Sequence, residues 1–344
     1  MSNVNTNNKL EWFASGNAPL LYPTELVTGF FIFEDLSMLE IPPSVPFATT
    51  WGKPVSVRLS YEKTHPIPEG IAMTWFSIVE NKFYAVMDEL PKEQIATLLS
   101  EKDENTKKPK YNTLIAGMAP GGKVAVWVSG NDITTEVAWL QGHEIEMDID
   151  MLDPNTKLTQ EEYAKKALAN CEEALQNFNQ NGLPAPELFD QYMQKFNYRI
   201  TPIFESEVGE IKIYIHYYNG ELNKINPQEP TENALRAKPY KITLTWQTKK
   251  AKYNGYFWTD EQKIIETFQN AFDDDIENKE DNIEKEGNLI IKIDSSFKNF
   301  TFILQTMAHE IEIPAEEMQY LIFKNKFEYC RSNNYNKPKG SWRD

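Results

Sequence analysis

Apolar and polar residues alternate along much of the chain, and this pattern predicts β-strands. A period of two places successive side chains on opposite faces of a strand. The clearest alternating stretches are VSVRLSY (55–61), IAMTWFSI (71–78), KFYAVM (82–87), EIKIYIHYY (210–218), KITLTWQTK (241–249) and KYNGYFW (252–258). Clusters of aromatic residues and prolines over residues 12–54 predict further short strands separated by turns.

Four segments carry helix signals. PKEQIATLLSE (91–101) and DEQKIIETFQNAF (260–272) each follow an alternating pair, and PAEEMQYLIFKNKFEYC (314–330) predicts a C-terminal helix. Residues 158–197 predict a helical hairpin, which begins at a possible capping box of Thr159 and Glu162 and is broken at Gly182. Its second helix is expected over residues 186–196.

Two regions of the chain resemble each other. The pattern I-x-(M/L)-T-W-x-(S/T) occurs at residues 71–77 and again at 242–248. The alignment further pairs Tyr61 with Tyr217, Lys82-Phe83 with Lys252-Tyr253, and Leu140-Gln141 with Leu304-Gln305. Each region ends in the tetrapeptide HEIE, at 143–146 and at 309–312, and these two copies contain half of the four histidines in the chain. A shared order of elements predicts a repeat.

The repeat predicts an α+β fold of two related halves, each a mainly antiparallel sheet with a helix, joined by a helical hairpin. The expected boundaries are 1–153 for the first half, 154–198 for the helical connector, and 199–344 for the second half, which would include the C-terminal helix and a basic tail. The length of 344 residues and a hydrophobic content of 41% are sufficient for two such cores.

The charge and the cysteine content exclude several classes of function. A formal net charge of -16 would repel nucleic acid and anionic lipid surfaces over most of the molecule. The two cysteines form no CxxC pair, which favours a reducing compartment. The N-terminus has no secretion signal, and the longest apolar runs are far shorter than the roughly 20 residues of a membrane span. We therefore expect a cytoplasmic protein without a membrane span.

The candidate catalytic and metal-binding features all have a simpler structural interpretation. Each HEIE is more consistent with a strand than with a zinc site, because no second histidine lies four residues away. The row Glu144, Glu146, Asp148 and Asp150 is typical of an exposed strand face, although a cation site or a paired acid and base stays open. GMAPGGK (117–123) lacks the Ser or Thr of a phosphate loop and predicts a hairpin turn. No nucleophile set emerges, and we expect no cofactor.

One acidic segment is the candidate for partner binding. The run DDDIENKE (273–280) would be solvated, and it could steer a basic partner electrostatically. The candidate partner-binding residues are Asp273, Asp274, Asp275, Glu277 and Glu280.

Several motifs, taken in order, resemble one protein family. They are WFASGNAPLLYP (12–23), TWGKP (50–54), LPKEQI (90–95), GMAPGGKVAVWVSG (117–130), and the two copies IAMTW and ITLTW. Together they resemble the bacterial domain-of-unknown-function family number 2931 over residues 12–199, with the second half as its carboxyl-terminal portion. The resemblance implies an accessory protein encoded near type VI secretion phospholipase effectors, and hence an immunity protein that binds and neutralises a toxin.

The resemblance implies a partner and leaves alternatives open. The expected partner is a cognate protein toxin, a lipase-like effector. Many members of the family look like exported lipoproteins, whereas this sequence has neither an export signal nor a lipid-accepting cysteine, which favours a cytoplasmic antitoxin or an effector chaperone. A non-enzymatic binding protein is the main expectation. A hydrolase that uses the acidic strand or a metal bridged by the two HEIE segments is the rival, and a carbohydrate-binding surface protein is the third possibility.

Overall fold

The computed structural model describes residues 9–44, 46–55, 63–225, 232–272, 285–324 and 328–330. The expected strand VSVRLSY, with Tyr61, lies mostly outside these ranges, as does the basic tail. The chain divides into two compact units, Met1–Phe189 and Asp190–Lys339. The protein is α+β and its sheets are mainly antiparallel. No helix in the described ranges has both the length and the hydropathy needed to cross a membrane.

Eleven strands, together with helices, are found among the described residues of the first unit. The strands are β1 Leu10–Glu11, β2 Phe13–Asn17, β3 Thr24–Ile32, β4 Met38–Glu40, β5 Thr64–His65, β6 Gly70–Ser77, β7 Lys82–Glu89, β8 Thr113–Ala119, β9 Lys123–Ser129, β10 Thr134–Gln141 and β11 His143–Ile145. Helix α1 (Lys92–Ser100) lies between β7 and β8, and α2 (Gln160–Ala169) and α3 (Glu172–Asn181) follow β11. Helix α4 (Leu188–Met193) begins at the end of the first unit and continues into the second.

Two sheets enclose the core of the first unit. One is the antiparallel sheet β4-β3-β6-β7-β11. The other contains β2-β8-β9-β10, in which β2 is parallel to β8 and the remaining pairs are antiparallel. Strand β1 pairs with β5. The core lies between the sheets, because Phe31 and Trp75 of the first pack in one cluster with Leu114 and Val126 of the second. All four side chains are fully buried.

In the described part of the second unit, strands precede and follow one long helix along the chain. They are β12 Phe196–Phe204, β13 Ile211–Tyr217, β14 Leu222–Ile225, β15 Ala234–Arg236, β16 Pro239–Gln247, β17 Lys252–Trp258, then α5 Glu261–Phe272, then β18 Gly287–Ile293, β19 Phe300–Thr306, β20 Glu310–Ile313, β21 Gln319–Lys324 and β22 Glu328–Cys330. One group of strands has the order β14-β13-β16-β17-β21-β22, and the other is the sheet β15-β12-β18-β19-β20.

The two units have the same topology. The order β4-β3-β6-β7-β11 corresponds to β14-β13-β16-β17-β21, and all of these neighbours are antiparallel. The order β2-β8-β9-β10 corresponds to β12-β18-β19-β20, and in both cases the first pair is parallel. Helices α1 and α5 occupy the same place in the chain order, and β5 corresponds to β15. The second unit is therefore a second copy of the fold of the first.

A buried tryptophan and its cross-strand tyrosine mark the same position in each copy. Trp75 faces Tyr84 across the hairpin β6-β7, and their rings stack with centroids 5.7 Å apart. Trp246 faces Tyr253 across β16-β17, and these rings stack at 5.4 Å. Both tryptophans are fully buried. The similarity of IAMTW and ITLTW thus reflects one core position that occurs twice.

The structure corrects the sequence alignment downstream of this tryptophan. Since Tyr84 is the partner of Trp75 and Tyr253 is the partner of Trp246, the alignment of Lys82-Phe83 with Lys252-Tyr253 is wrong by one residue. The two HEIE segments are not equivalent either. The first lies in β11, which corresponds to β21, whereas the second lies in β20, which corresponds to β10. Leu140 in β10 and Leu304 in β19 likewise belong to different positions of the repeat.

Two helix predictions need correction. Residues 319–324 form strand β21 and not a C-terminal helix, because they pair with β17 and place Ile322 in the core. In the connector, the first predicted helix is divided into α2 and α3 at Cys171, whose backbone is not helical. The second is only the six-residue α4, and Phe196 already begins β12. The capping box of Thr159 and Glu162 is confirmed, with both reciprocal hydrogen bonds present.

Candidate functional site

The outer face of the sheet β4-β3-β6-β7-β11 is the candidate functional surface of the first unit. Because side chains alternate along a strand, Phe31, Ile71 and Val86 point into the core and their neighbours point outward. The outward residues stand in register across the strands. Those that form the surface, termed here the open face, are Thr28, Phe30, Ile32, Met38, Ala72, Thr74, Ala85 and Met87.

Among the described residues, helices cover one end of this outer sheet surface. Phe76 and Phe83 point outward at that end, and they pack with Ala164 and Leu168 of α2 in a separate buried cluster. Tyr163 of α2 donates a hydrogen bond of 2.7 Å to the carboxylate of Glu25 in β3, and burial raises the pKa of this carboxyl. Gln160 of α2 also donates a hydrogen bond of 2.7 Å to the backbone carbonyl oxygen of Asn81, between β6 and β7. The helices are thus fixed to the sheet by apolar packing and by half-buried polar contacts.

Beyond the helices the sheet surface is accessible. Met87 is 79% exposed and Met38 is 59% exposed, while Phe30, Ile32 and Ala72 between them are half-buried. Large apolar side chains that lie together on a sheet surface are typical of a binding site, whereas single exposed ones are common everywhere. This surface is therefore distinguished by apolar side chains that lie next to one another, and not by the exposure of any one methionine.

Acidic side chains border the open face. Glu40 on β4 shares the cross-strand row of Phe30. Glu89 on β7 shares the row of Ile32. At the end of the strands, the Lys92 ammonium is held between two carboxylates, at 2.9 Å from Glu34 and 2.5 Å from Glu69. Hydrogen bonds to Glu69 and Glu34 raise the pKa of Lys92. The surface thus has an apolar centre and an acidic margin, which suits a partner with apolar groups surrounded by basic ones.

The first HEIE segment lies at the other edge of this sheet. His143 is exposed and pairs with Ala85, so that its side chain shares the row of Thr28 and Thr74. The second segment begins strand β20 only at Glu310, and Ile313 points into the core. Within the part of the chain that the structure describes, no group of three or more His, Cys, Asp or Glu side chains is arranged to hold a metal ion.

The acidic row after His143 borders an open depression of about 430 Å³. Only Glu144 belongs to strand β11, and Asp150 lies in a 3-10 turn, so the four acids do not share one strand face. Glu144 forms an ion pair of 2.8 Å with Lys82, and hydrogen bonding to Glu144 raises the pKa of Lys82. Both side chains are about half exposed, so solvent screens the pair and its effect on stability is small.

The GMAPGGK motif has a structural role. The N–H of Gly121 donates to the carboxylate of Glu80, which also accepts from the hydroxyls of Tyr84 and Ser77. Gly122 has a φ of +72°, and a Cβ there would lie 2.8 Å from the ring of Tyr84. The prediction of two strands joined by a turn is confirmed. The motif therefore shapes a tight junction over the repeated tyrosine.

The acidic run is the predicted partner-binding segment. It stays a prediction, because its residues lie outside the described ones: Asp273, Asp274, Asp275, Glu277 and Glu280.

Sequence reasoning missed the open face. Its signal was present in GFFIF, where Phe30 and Ile32 add apolar side chains to the strand face opposite Phe31 and Phe33.

The fold and this surface define an α+β protein with two copies of one topology, of which the first presents an exposed apolar sheet surface. The chain belongs to the family described as protein of unknown function DUF2931, whose model matches residues 1–185. The match ends close to the boundary of the first unit at Phe189, so the second copy of the fold lies beyond it. No curated protein and no solved structure matches the chain.

Proposed function

We propose that the chain is a cytoplasmic immunity protein that neutralises a bacterial toxin, a phospholipase-like effector of type VI secretion, by binding and not by catalysis. The observation that carries the proposal is the open face. A neutralising protein needs a stable surface that excludes water from the toxin, and a sheet with an apolar centre and a charged margin has this composition.

The charge of the chain supports the same partner class. The acidic margin of Glu40 and Glu89 and the net charge of -16 would attract a basic surface on the toxin and accelerate association. The methionines suit recognition, because the thioether side chain adapts to an irregular partner. Fully burying an exposed side chain of this size contributes about 1.5–3 kcal/mol, so Met38 and Met87 together would account for a substantial part of a nanomolar affinity of roughly -12 kcal/mol.

The proposal is tested by co-expression of the effector encoded beside the gene, with cell survival as the readout. Cells with the wild-type protein should survive, and the Met38→Lys, Met87→Lys double variant should lose protection. The matched control is Met151→Lys, Met307→Lys, since both of these methionines are exposed and lie outside the open face. Survival of cells that lack the gene would refute the immunity function. Protection by the double variant equal to that of the control would instead exclude the open face.

A pull-down of the tagged protein from its host lysate, with mass spectrometry and titration of the leading partner, identifies the effector. A stoichiometric lipase-like protein that binds wild type about 100-fold or more tightly than the double methionine variant is the expected result. A chaperone would bind the same effector without suppressing its activity, so an assay of the purified effector with and without the protein separates the two roles.

A further inference from the structure

The sheet surface of the second unit that corresponds to the open face has a different chemistry. The outward residues of β13, β14, β16, β17 and β21 include four lysines and four aromatic residues, and none of the outward residues within these strands is acidic. The lysines and aromatic residues, termed here the lysine-aromatic face, are Lys212, Lys224, Lys241, Lys252, Tyr214, Tyr256, Trp258 and Phe323. This composition is unexpected in a chain with a net charge of -16.

The rings form a row that is already stacked on itself. Tyr256 stacks with Trp258 at 6.1 Å and an interplanar angle of 24°, and with Phe323 at 5.8 Å and 20°. The ammonium of Lys241 lies 5.8 Å from the Tyr256 ring centre and 5.6 Å from that of Trp258. On the neighbouring strands, Lys224 lies 5.4 Å from the ring of Tyr214. The ring faces in this row are thus partly occupied by one another and by lysine ammonium groups.

We propose that the lysine-aromatic face binds an acidic polypeptide segment. Ring edges carry partial positive charge, and the ammonium groups of Lys212, Lys224 and Lys252, the tyrosine hydroxyls and the indole N–H are hydrogen-bond donors, so carboxylates are the complementary ligands. Lys241 is buried and adds positive charge beneath the rings. Nucleic acid fits less well, because single-stranded nucleic acid binding relies on open ring faces on which bases stack. The inference concerns a different unit and a different partner chemistry, and it does not depend on the proposed immunity function.

The size of the face fits a short extended segment. Lys224 on β14 and Lys252 on β17 are three strand spacings apart, roughly 14 Å, and Lys252 lies roughly 13 Å along β17 from Tyr256, which shares the cross-strand row of Lys224. The two lysines are therefore roughly 20 Å apart, a distance that an extended chain covers with about six residues. At one margin Glu210 immediately precedes β13 and forms an ion pair of 2.8 Å with Lys212, which holds the pKa of Glu210 below its usual range. A bound carboxylate would replace Glu210 as the partner of Lys212.

The test is fluorescence anisotropy of a fluorescein-labelled hexadecaglutamate peptide with the full-length protein at about 50 mM salt, where screening is weak. The Lys212→Ala, Lys224→Ala, Lys252→Ala variant should bind at least tenfold more weakly than wild type. The control is Lys102→Ala, Lys108→Ala, Lys298→Ala, which removes the same charge at exposed positions elsewhere and should stay within twofold of wild type. Circular dichroism verifies that both variants are folded.

Three results would overturn the proposal. The first is an absence of saturable binding, or equal binding by the two lysine variants. The second is tighter binding of a labelled oligothymidylate of sixteen nucleotides than of the peptide, which would indicate nucleic acid. The third is a concentration-dependent dimer in analytical ultracentrifugation that the face variant abolishes and the control variant retains, which would indicate that a second copy of the chain occupies this face.

Discussion

Replacement of Lys238 by methionine should stabilise the second unit in a pH-dependent manner. Lys238 lies between β15 and β16 and has no solvent exposure. Its ammonium donates to the backbone carbonyl oxygen of Gln191 at 2.7 Å and lies 4.8 Å from the ring centre of Phe196. Burial lowers the pKa of Lys238 to about 7, from 10.5 in the unfolded chain. The folded protein therefore retains a lysine whose charged form is poorly accommodated.

The magnitude follows from the difference between the folded and unfolded pKa values. Each pKa unit corresponds to about 1.4 kcal/mol, so the charge of Lys238 costs about 5 kcal/mol below pH 7 and about 2 kcal/mol at pH 9. The unfolded state binds more protons between pH 7 and 10.5, so the contribution of Lys238 to stability rises with pH across this window and is constant below it. Methionine removes this cost but loses the hydrogen bond to Gln191, about 1 kcal/mol.

Urea unfolding of wild type and Lys238→Met at pH 6 and pH 9 measures this difference. The variant should exceed wild type in free energy of unfolding at pH 6, and the gain should be about 2–3 kcal/mol smaller at pH 9. Lys298→Met, at an exposed turn position, should show no such change. A gain that is the same at both pH values, or a loss at pH 6, would refute the view that Lys238 is a buried group with a lowered pKa.

Three further changes test the first unit, each by urea unfolding. Gly122→Ala should destabilise the protein by about 2–4 kcal/mol, because the added Cβ would clash with the ring of Tyr84 at a positive φ. Gly121→Ala has space for its Cβ and should cost only about 1 kcal/mol. Equal costs for the two variants would contradict this account. Glu80→Gln should cost about 1–3 kcal/mol, since Gly121 N–H and the Tyr84 hydroxyl lose a charged acceptor, and an unchanged midpoint would argue against it. Thr159→Ala should cost about 1 kcal/mol through loss of the capping box, and this loss should disappear if the hydroxyl is retained in Thr159→Ser.

The sequence was sufficient to predict the elements that depend on local pattern. The period-two stretches around Trp75 and Trp246 became paired strands in two copies of one fold, and the capping signal at Thr159 became a helix start. The identity of two tetrapeptides was less reliable as a sign of equivalent positions. HEIE fits any exposed strand edge, so its two copies arose at non-equivalent strands, β11 and β20, and misaligned the end of the repeat. Only cross-strand register identifies the equivalent residues.

The prediction of a C-terminal helix was wrong for a related reason. Pro314 with Glu316 and Glu317 is a legitimate helix start, and it does form a single 3-10 turn. Beyond it, pairing with β17 places Ile322 in the core and Tyr320 against Phe300, which a surface helix would not achieve. This gain from tertiary packing exceeds the local preference, and it depends on a strand more than sixty residues earlier in the chain.

The candidate surfaces were beyond prediction because they depend on what covers each sheet. Outward Phe76 and Phe83 are buried by α2, whereas outward Phe30 and Met87 in the same sheet are not. Strand pattern alone treats these residues alike. The distinction needs the position of a helix that begins at Gln160, about seventy residues after the strands it covers.

Comparison of equivalent outward positions explains how one fold acquires two different surfaces. The inward positions are constrained by the core, as the repeated tryptophan shows, but the outward positions are free to change. Taking Trp75 with Tyr84 and Trp246 with Tyr253 as the common register, the pairs of equivalent outward residues are Thr28 and Lys212, Glu40 and Lys224, Gly70 and Lys241, Met87 and Tyr256, and Glu89 and Trp258. At two of these pairs the first copy has an acidic residue, Glu40 or Glu89, and the second copy has Lys224 or Trp258. Since opposite charge selects different partners, a single ligand cannot satisfy both surfaces equally. The Met38, Met87 variant and the triple lysine variant should therefore impair different binding events, and each should leave the other intact.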